Sequence, residues 1–517
     1  MDGIDLELFL HRLTSVAEEM GEVLRLTAFS PNIKERLDHS CAVLDARGAM
    51  VAQAAHIPVH LGAIPLCVRA VLERLELADG DVAIVNDPFA GGTHLPDITL
   101  VRAVDVGGHR FHVVARAHHA DVGGITPGSL PPSRTIDDEG WRIEPTLLTD
   151  AVIASLMRAS RTPDERRGDF AAQVAACGLG ARRLVELGER YGADRVAEAA
   201  VALQDYTERR IDALLATLPE ATVHARDVLD GTFLSDEPIP IVLALTHAGG
   251  RLTFDFTGSA DQVEGPMNAV RAIVESAVFY ALLCLLDDDV PANSGLMRRV
   301  DVLTRPGSVV DALPPAAVAA GNVETSQRVV DVVMQGLAQL CPGRLPACSC
   351  GSMNNVLLGS LPDRAPAWVT YETVAGGAGA GPRGDGASAV QTHMTNTLNT
   401  PVEAFEHAFP VRMERCGVRE GSGGAGRHRG GDGVVRAWRF LEPCTMTLIG
   451  ERRTSGPPGA AGGAAGEPGV AWLERATGER RRLPGKVSLD VQAGDLLVLE
   501  TPGGGGYGPP PDPEPEP

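Results

Sequence analysis

The chain has no uninterrupted apolar run of the ~18 residues that a membrane-spanning helix needs, so no span is expected. Basic charge is also in deficit: 46 Lys and Arg against 67 Asp and Glu leave a net charge of −21. Nucleic acid and anionic membrane both require a basic face, so neither is an expected partner. Nine cysteines, an odd number scattered over 517 residues, form no disulfide framework and fit a reducing cytoplasm. Cys348 and Cys350 stand closest, and one such pair is a poor zinc signal. The opening Met1-Asp2-Gly3-Ile4-Asp5 lacks the basic segment of a secretory signal. Nucleotide and nucleophile motifs are missing too. Pro484-Gly485-Lys486-Val487 lacks the hydroxyl of a phosphate loop, and no G-x-S-x-G elbow occurs. Gly379-Ala-Gly381-Pro-Arg-Gly384 spells a dinucleotide loop but contains a proline and has no helix behind it. The chain is therefore expected to have no nucleotide site of its own.

Histidine, by contrast, is concentrated. Eight of the fourteen copies fall between His39 and His119. Two groups stand out, His94-Leu-Pro-Asp97 and His118-His119-Ala-Asp121. Imidazole and carboxylate without a nearby thiolate suit Zn²⁺, Mn²⁺ or Fe²⁺. Asn86 to His94 reads as a strand end followed by a glycine turn that lets backbone approach a ligand. In an extended strand His118 and His119 face opposite ways, so one points to the cluster and the other packs behind it. A charged segment, Asn32 to His39, offers Glu35 or Asp38 as a further carboxylate, or else is a solvated loop. Pro58 between His56 and His60 disfavours a helical zinc pair, so these two are expected to support the site or the core. The polar run Gly321 to Asp331, with Asn322 and Glu324, reads as a pocket wall leading into a helix. Thr325 or Ser326 is a candidate N-cap there. Arginines 427, 429, 452, 453 and 480–482 make the C-terminal part locally basic, either as a solvated face or as a contact for an acidic partner subunit.

Length alone implies several domains. Apolar residues Leu6, Phe9, Leu10, Leu13, Val16, Met20, Val23 and Leu24 predict an amphipathic helix over 5–28. Strands are predicted at 40–44, 81–85, 98–104 and 112–115, with the His/Asp groups just beyond strand ends. Residues 151–218 read as a helical block broken at Arg161-Thr-Pro163. An antiparallel sheet is expected from 228–233 and 252–257, and a buried helix from 268–286. Beyond about residue 340 glycine and turn signals dominate, with strands at 437–441, 445–449 and 496–499, a loop at 456–469 and a disordered tail from Pro509. The expected class is α+β. A mixed site region covers 1–150, a helical block with a sheet 151–340, and a β-rich part 341–508.

These segments resemble the hydantoinase B/oxoprolinase family. The resemblance runs through Ser30–Asp38, His56-Ile-Pro-Val-His-Leu-Gly62, Asn86–Asp97, Arg116-Ala-His-His-Ala-Asp-Val-Gly-Gly124 and Pro127-Gly-Ser-Leu-Pro-Pro132. It continues in Gly321–Arg328, Tyr371-Glu-Thr-Val-Ala-Gly-Gly377, Gly421–Gly426 and Glu500–Gly508. His39 stands where the family usually has an aromatic. The resemblance implies an A-type partner with an actin-like fold that binds ATP and phosphorylates a carbonyl or enolate oxygen, in a hetero-oligomer. It implies a divalent metal, Mn²⁺ favoured, held by Glu35, His94, Asp97 and His119. His118, Asp121, Asn322 and Glu324 are then left as catalytic candidates. The expected activity is ATP-dependent opening of a cyclic amide such as hydantoin or 5-oxoproline. The alternatives are ketone carboxylation of the acetone or acetophenone type, and a non-catalytic interface scaffold. Asp97→Asn is expected to lose metal and turnover while the metal-free melting temperature stays within a few degrees.

Overall fold

The computed structural model describes residues 1–286, 290–362 and 364–510. The tail expected from Pro509 lies, beyond residue 510, outside the described residues. Helix α1 (Gly3–Thr27) starts where the Asp2 carboxylate accepts the Asp5 N–H at 2.8 Å. Its Phe9, Leu13, Val16, Met20 and Leu24 stripe is buried against strand β1 and a long helix that follows later. A single turn, α2 (Pro31–Lys34), leads into β1 (His39–Asp45) and β2 (Met50–Gln53). Helix α3 (Ala63–Arg74) comes next, then β3 (Val82–Val85), β4 (Asp97–Val106), β5 (His109–His118) and β6 (Thr146–Leu147). These six strands form one antiparallel sheet ordered β2-β1-β5-β4-β3-β6. Its centre is buried on both faces, so β4 and β5 carry nearly continuous apolar runs.

The helical block resolves into α4 (Asp150–Ala159), α5 (Pro163–Tyr191) and α6 (Ala193–Leu215). Pro163 opens α5, where its missing N–H costs nothing. A second break falls at Gly192, whose φ of 91° only glycine adopts freely. Strands β7 (Ala221–Leu229), β8 (Ile239–Ala248), β9 (Arg251–Asp255) and β10 (Val300–Leu303) form a second sheet, with helix α7 (Arg271–Leu283) lying between β9 and β10 in sequence. Segments 228–233 and 252–257 contribute to this one sheet, as expected, with β8 between them. The first of those strands ends at Leu229, and β9 pairs with β8, not with β7. Strand β8 alternates buried and half-buried residues over nine positions, a period-two signal that the sequence carries.

Helix α8 (Ser326–Leu340) packs on β7 and β8. It grows out of a π-helical turn, Gly321–Thr325, not out of a capped loop. The candidate caps act otherwise. Ser326 Oγ donates to the Asn322 carbonyl at 2.7 Å, and Thr325 Oγ1 donates to the Met267 carbonyl.

Strands β11 (Asn355–Ser360), β12 (Val369–Thr373), helix α9 (Val402–Ala408), β13 (Val411–Arg419), β14 (Gly433–Phe440) and β15 (Cys444–Ile449) follow. The last four are β16 (Val470–Glu474), β17 (Arg480–Leu483), β18 (Lys486–Val491) and β19 (Leu496–Glu500). They make a sheet β12-β11-β15-β18 and a sheet β13-β14-β19-β16-β17. Alternation along β11 lets one strand serve two cores: Val356 and Leu358 join Trp438 and Leu497, while Leu357 joins the larger N-terminal core. Beside these sheets the glycine-rich segments pack backbone against backbone. Gly504 donates to the Gly431 carbonyl at 2.9 Å and accepts from Gly424 at 2.8 Å, and Gly431 donates to the Ala378 carbonyl at 2.8 Å. Residues 501–508 are buried in this layer. The stretch 456–469 forms part of it, lacking helix or strand yet tied to 501–508 by bonds such as Gly506 N to Ala464 O at 2.9 Å.

Candidate metal and acid–base centre

The two His/Asp groups meet because of strand register. Asp97 opens β4 and His118 closes β5, and the two residues are direct partners across the pair. His94 arrives by a tight turn in which the Asp97 N–H donates to the His94 carbonyl at 3.1 Å. Asn86 fixes the preceding loop: its amide N–H groups reach the Leu95 and Trp141 carbonyls at 2.8 and 3.0 Å, and its oxygen accepts the Ile143 N–H at 2.6 Å. Asp97 Oδ1 then lies 3.1 Å from His94 Nε2 and 3.3 Å from His118 Nδ1. Asp97 Oδ2 lies 3.2 Å from His60 Nε2 and accepts from Thr93 Oγ1 at 2.7 Å. Asn322, from the π-helical turn, places Nδ2 2.9 Å from His94 Nε2 and 3.4 Å from Asp97 Oδ2. All three central side chains are at most 2% exposed.

Each imidazole is oriented from behind. His94 Nδ1 faces the Ala319 carbonyl at 3.0 Å, His118 Nε2 meets Ser129 Oγ at 2.8 Å, and His60 Nδ1 meets Ser40 Oγ at 2.8 Å. Burial alone would raise the Asp97 carboxyl, but the His94 charge and the contacts of all three histidines hold it well below the usual range. His94 is raised despite burial because Asp97 faces it, whereas burial lowers His60. Among the described residues, His94, Asp97 and His118 form a group whose ligand atoms lie within 4.8 Å of one another. Two nitrogens and a carboxylate, with the buried Asn322 Oδ1 lacking any partner, fit a divalent transition ion.

The remaining candidates are placed differently. His119 turns to the other side of the strand end, where Nε2 meets Gln173 Oε1 at 2.9 Å and the ring packs on Phe170. The structure thus corrects the expected membership of the cluster: His118 joins it and His119 does not, because only His118 shares a face with Asp97. Glu35 also lies outside the cluster, at the end of the α2 turn, with its charge felt by Arg25. Asp38 comes nearer, at 3.9 Å from His118 Nδ1. Asp121 is committed to Arg161, accepting its Nη1 at 2.8 Å and its backbone N–H at 2.5 Å. Glu324 accepts from Asn355 Nδ2 at 2.6 Å. Asn355 accepts from the Tyr371 hydroxyl at 2.8 Å, and the Tyr371 ring stacks 5.1 Å from that of His118. Glu324 therefore reaches the centre only through two intermediaries. His39 and His56 meet edge to face at 4.9 Å, and burial lowers both.

Sequence reasoning missed several contributors. Arg116, fully buried, shares the His118 face of β5, donates to Thr99 Oγ1 at 2.8 Å and leaves two guanidinium nitrogens without partners. Two-residue alternation back from His118 would have found it. Arg36, stacked 4.3 Å over Tyr371, and Ser129 carry no such signal, since long-range packing brings them in. Glu139 is another. It accepts the Val318 and Ala319 N–H groups at 2.8 Å each and so fixes the carbonyl that orients His94. Burial pushes Glu139 up to about 7. A raised folded-state value favours the neutral acid, so this stability is complete below the ordinary 4.5 and is lost as pH rises through about 7. Glu139→Gln should therefore melt progressively higher than the parent between about pH 5 and 8. A pH-independent gap between the two melting curves would contradict the assignment.

The hydantoinase B/oxoprolinase family model matches residues 2–510. The chain is 40% identical to 5-oxoprolinase 1 of Arabidopsis thaliana across 98% of its own length, and spans 42% of that protein. It is 31% identical to the putative B-type component of a D-/L-hydantoinase from Pseudomonas sp. (strain NS671), covering 98% of this chain and 90% of the relative. The crystal structure of the ATP-dependent caprolactamase from Pseudomonas jessenii superimposes with a TM-score of 0.91 at 29% identity, covering 98% of this chain and 91% of that one. Family model, relatives and fold agree: the chain belongs to the hydantoinase B/oxoprolinase family.

Proposed function

We propose that this chain completes the ring opening of a cyclic amide whose oxygen has been phosphorylated by an ATP-binding A-type partner. The observation that carries the reading is the convergence of His94, Asp97, His118 and Asn322 in one buried cluster, in a family whose named relatives act on cyclic amides. A divalent ion held by His94, Asp97 and His118, Mn²⁺ by the resemblance, supplies Lewis-acid polarisation when bound. The chain's own groups do the rest. Asn322 Nδ2 is a hydrogen-bond donor to the amide oxygen. As water adds to the amide carbon and the C–N bond breaks, the proton that the water loses passes to the ring nitrogen. His60, neutral by burial and set between Ser40 and Asp97, relays it by taking a proton at one ring nitrogen as it gives one from the other. A second water then frees phosphate from the acyl phosphate left behind. Tyr371 and Arg36 close the pocket to bulk water, which strengthens each of these interactions.

The test is reconstitution. The isolated chain should not hydrolyse ATP, since its sequence offers no phosphate-cradling loop. With an A-type partner and Mn²⁺, ATP turnover should become dependent on 5-oxoproline, hydantoin or a lactam, and the ring-opened acid should accumulate in step with ADP. Turnover stimulated only by a ketone and bicarbonate would replace this reading with the carboxylase.

A further inference from the structure

A second polar cluster lies apart from the histidine centre. Tyr280 on α7 places its hydroxyl 3.4 Å from His393 Nδ1, with the rings edge to face at 5.8 Å. His393 Nε2 faces Asp331 Oδ1 on α8 at 3.9 Å. Asp331 uses its other oxygen for Arg452 and Arg328, at 2.8 and 3.3 Å, and Oδ1 is buried with no hydrogen-bond partner. His393 is itself 7% exposed and has a φ of 59°, a left-handed conformation that a non-glycine residue holds only when its surroundings impose it. These residues back a cavity of about 450 Å³. Pro58, Met334 and Leu345 give it an apolar wall, and Arg344, tethered by a 2.7 Å bond to the Leu285 carbonyl, stands at its rim.

The lining decides the ligand class. Among the described lining residues Arg344 is the one permanently charged group and there is no carboxylate. One guanidinium among neutral polar groups, which include the Tyr280, Ser349, Thr392 and Thr395 hydroxyls, matches a single negative charge. A phosphate carries more negative charge than one guanidinium balances. The apolar wall takes an alkyl body. We propose that this cavity binds the carboxylate end of a short aliphatic acid, with Arg344 as counter-charge and Tyr280 as hydroxyl donor. Burial lowers His393 to about 4, so near neutrality the imidazole beside Tyr280 adds no second positive charge to the cavity.

The test uses the full chain, stripped of metal, without ATP or partner, and titrates it calorimetrically with hexanoate and with uncharged hexanamide. Hexanoate should bind at least about 10-fold more tightly than hexanamide. Arg344→Ala, a change at an exposed rim, should weaken hexanoate about 10-fold, and Tyr280→Phe roughly 5-fold. Asp97→Asn should bind hexanoate as the parent does. Absence of hexanoate binding, equal binding of acid and amide, or indifference to both Arg344→Ala and Tyr280→Phe would each overturn the site. None of these readouts involves turnover, so they leave the ring-opening proposal to its own test.

Discussion

Asp97→Asn is expected to weaken divalent-metal binding by 10- to 100-fold or more, and substrate-dependent turnover with an A-type partner should collapse with it. Asp97 lies within 3.3 Å of His94, His118 and His60, so its charge is what an ion would share with the imidazoles. Sequence reasoning expects the metal-free protein to melt normally, because the amide nearly preserves shape. The structure changes that expectation. Asp97 also accepts from Thr93 and Asn322, and the raised His94 depends on its charge. Breaking such a buried set costs about 3 kcal/mol. The metal-free variant should therefore melt clearly below the parent and still unfold cooperatively. Asp121→Asn provides the contrast. It loosens the Arg161 pair and lowers stability, yet leaves metal affinity unchanged, because Asp121 lies outside the cluster. Calorimetric metal titration of the two variants separates the roles, and wild-type affinity in Asp97→Asn would dismiss the cluster as the metal centre.

Gly504→Ala should be among the most damaging single-methyl changes in the C-terminal part. A Cβ at Gly504 would overlap the Ala378 carbonyl, with the Gly379 nitrogen directly behind it. All these atoms are backbone, held by their own hydrogen bonds, and no side chain is available to rotate away. Overpacking of this kind costs about 1–3 kcal/mol even where side chains relax, so roughly 3 kcal/mol or more is expected here. Gly417→Ala is the matched control: it lies in β13 with nothing within 4 Å of the added methyl. Thermal melts should show a large drop for the first and little change for the second. Similar melting temperatures would mean that the glycine layer tolerates expansion and does not fix the spacing of its segments.

The legible parts of this chain are those governed by local periodicity. The stripe from Phe9 to Leu24 gave α1 nearly residue for residue, and the apolar runs before His94 and His118 gave β3, β4 and β5. Pro163 marked the start of α5 because proline disrupts a helix everywhere except at its first turn. Strand β8 was overlooked although its alternation is regular, since Pro238 and Pro240 at its start mask the pattern. The glycine-rich segments were harder. Composition marks them as irregular, but side-chain periodicity carries no information where there are no side chains. Their order comes from backbone hydrogen bonds between segments far apart in sequence.

Residue order alone establishes that histidine and carboxylate chemistry is concentrated between His39 and His119, that one of His118 and His119 faces it, and which family the motifs resemble. The choice between those two histidines belongs to the folded chain. Strand alternation narrows it to a pair, and the direct partnership of Asp97 with His118 across β4 and β5 makes it. Folding also set Glu35 aside, brought His60 to Asp97 across 37 residues and brought Asn322 to His94 across 228. Such contacts depend on how layers stack, and stacking is the sum of many weak apolar contacts that no local window contains.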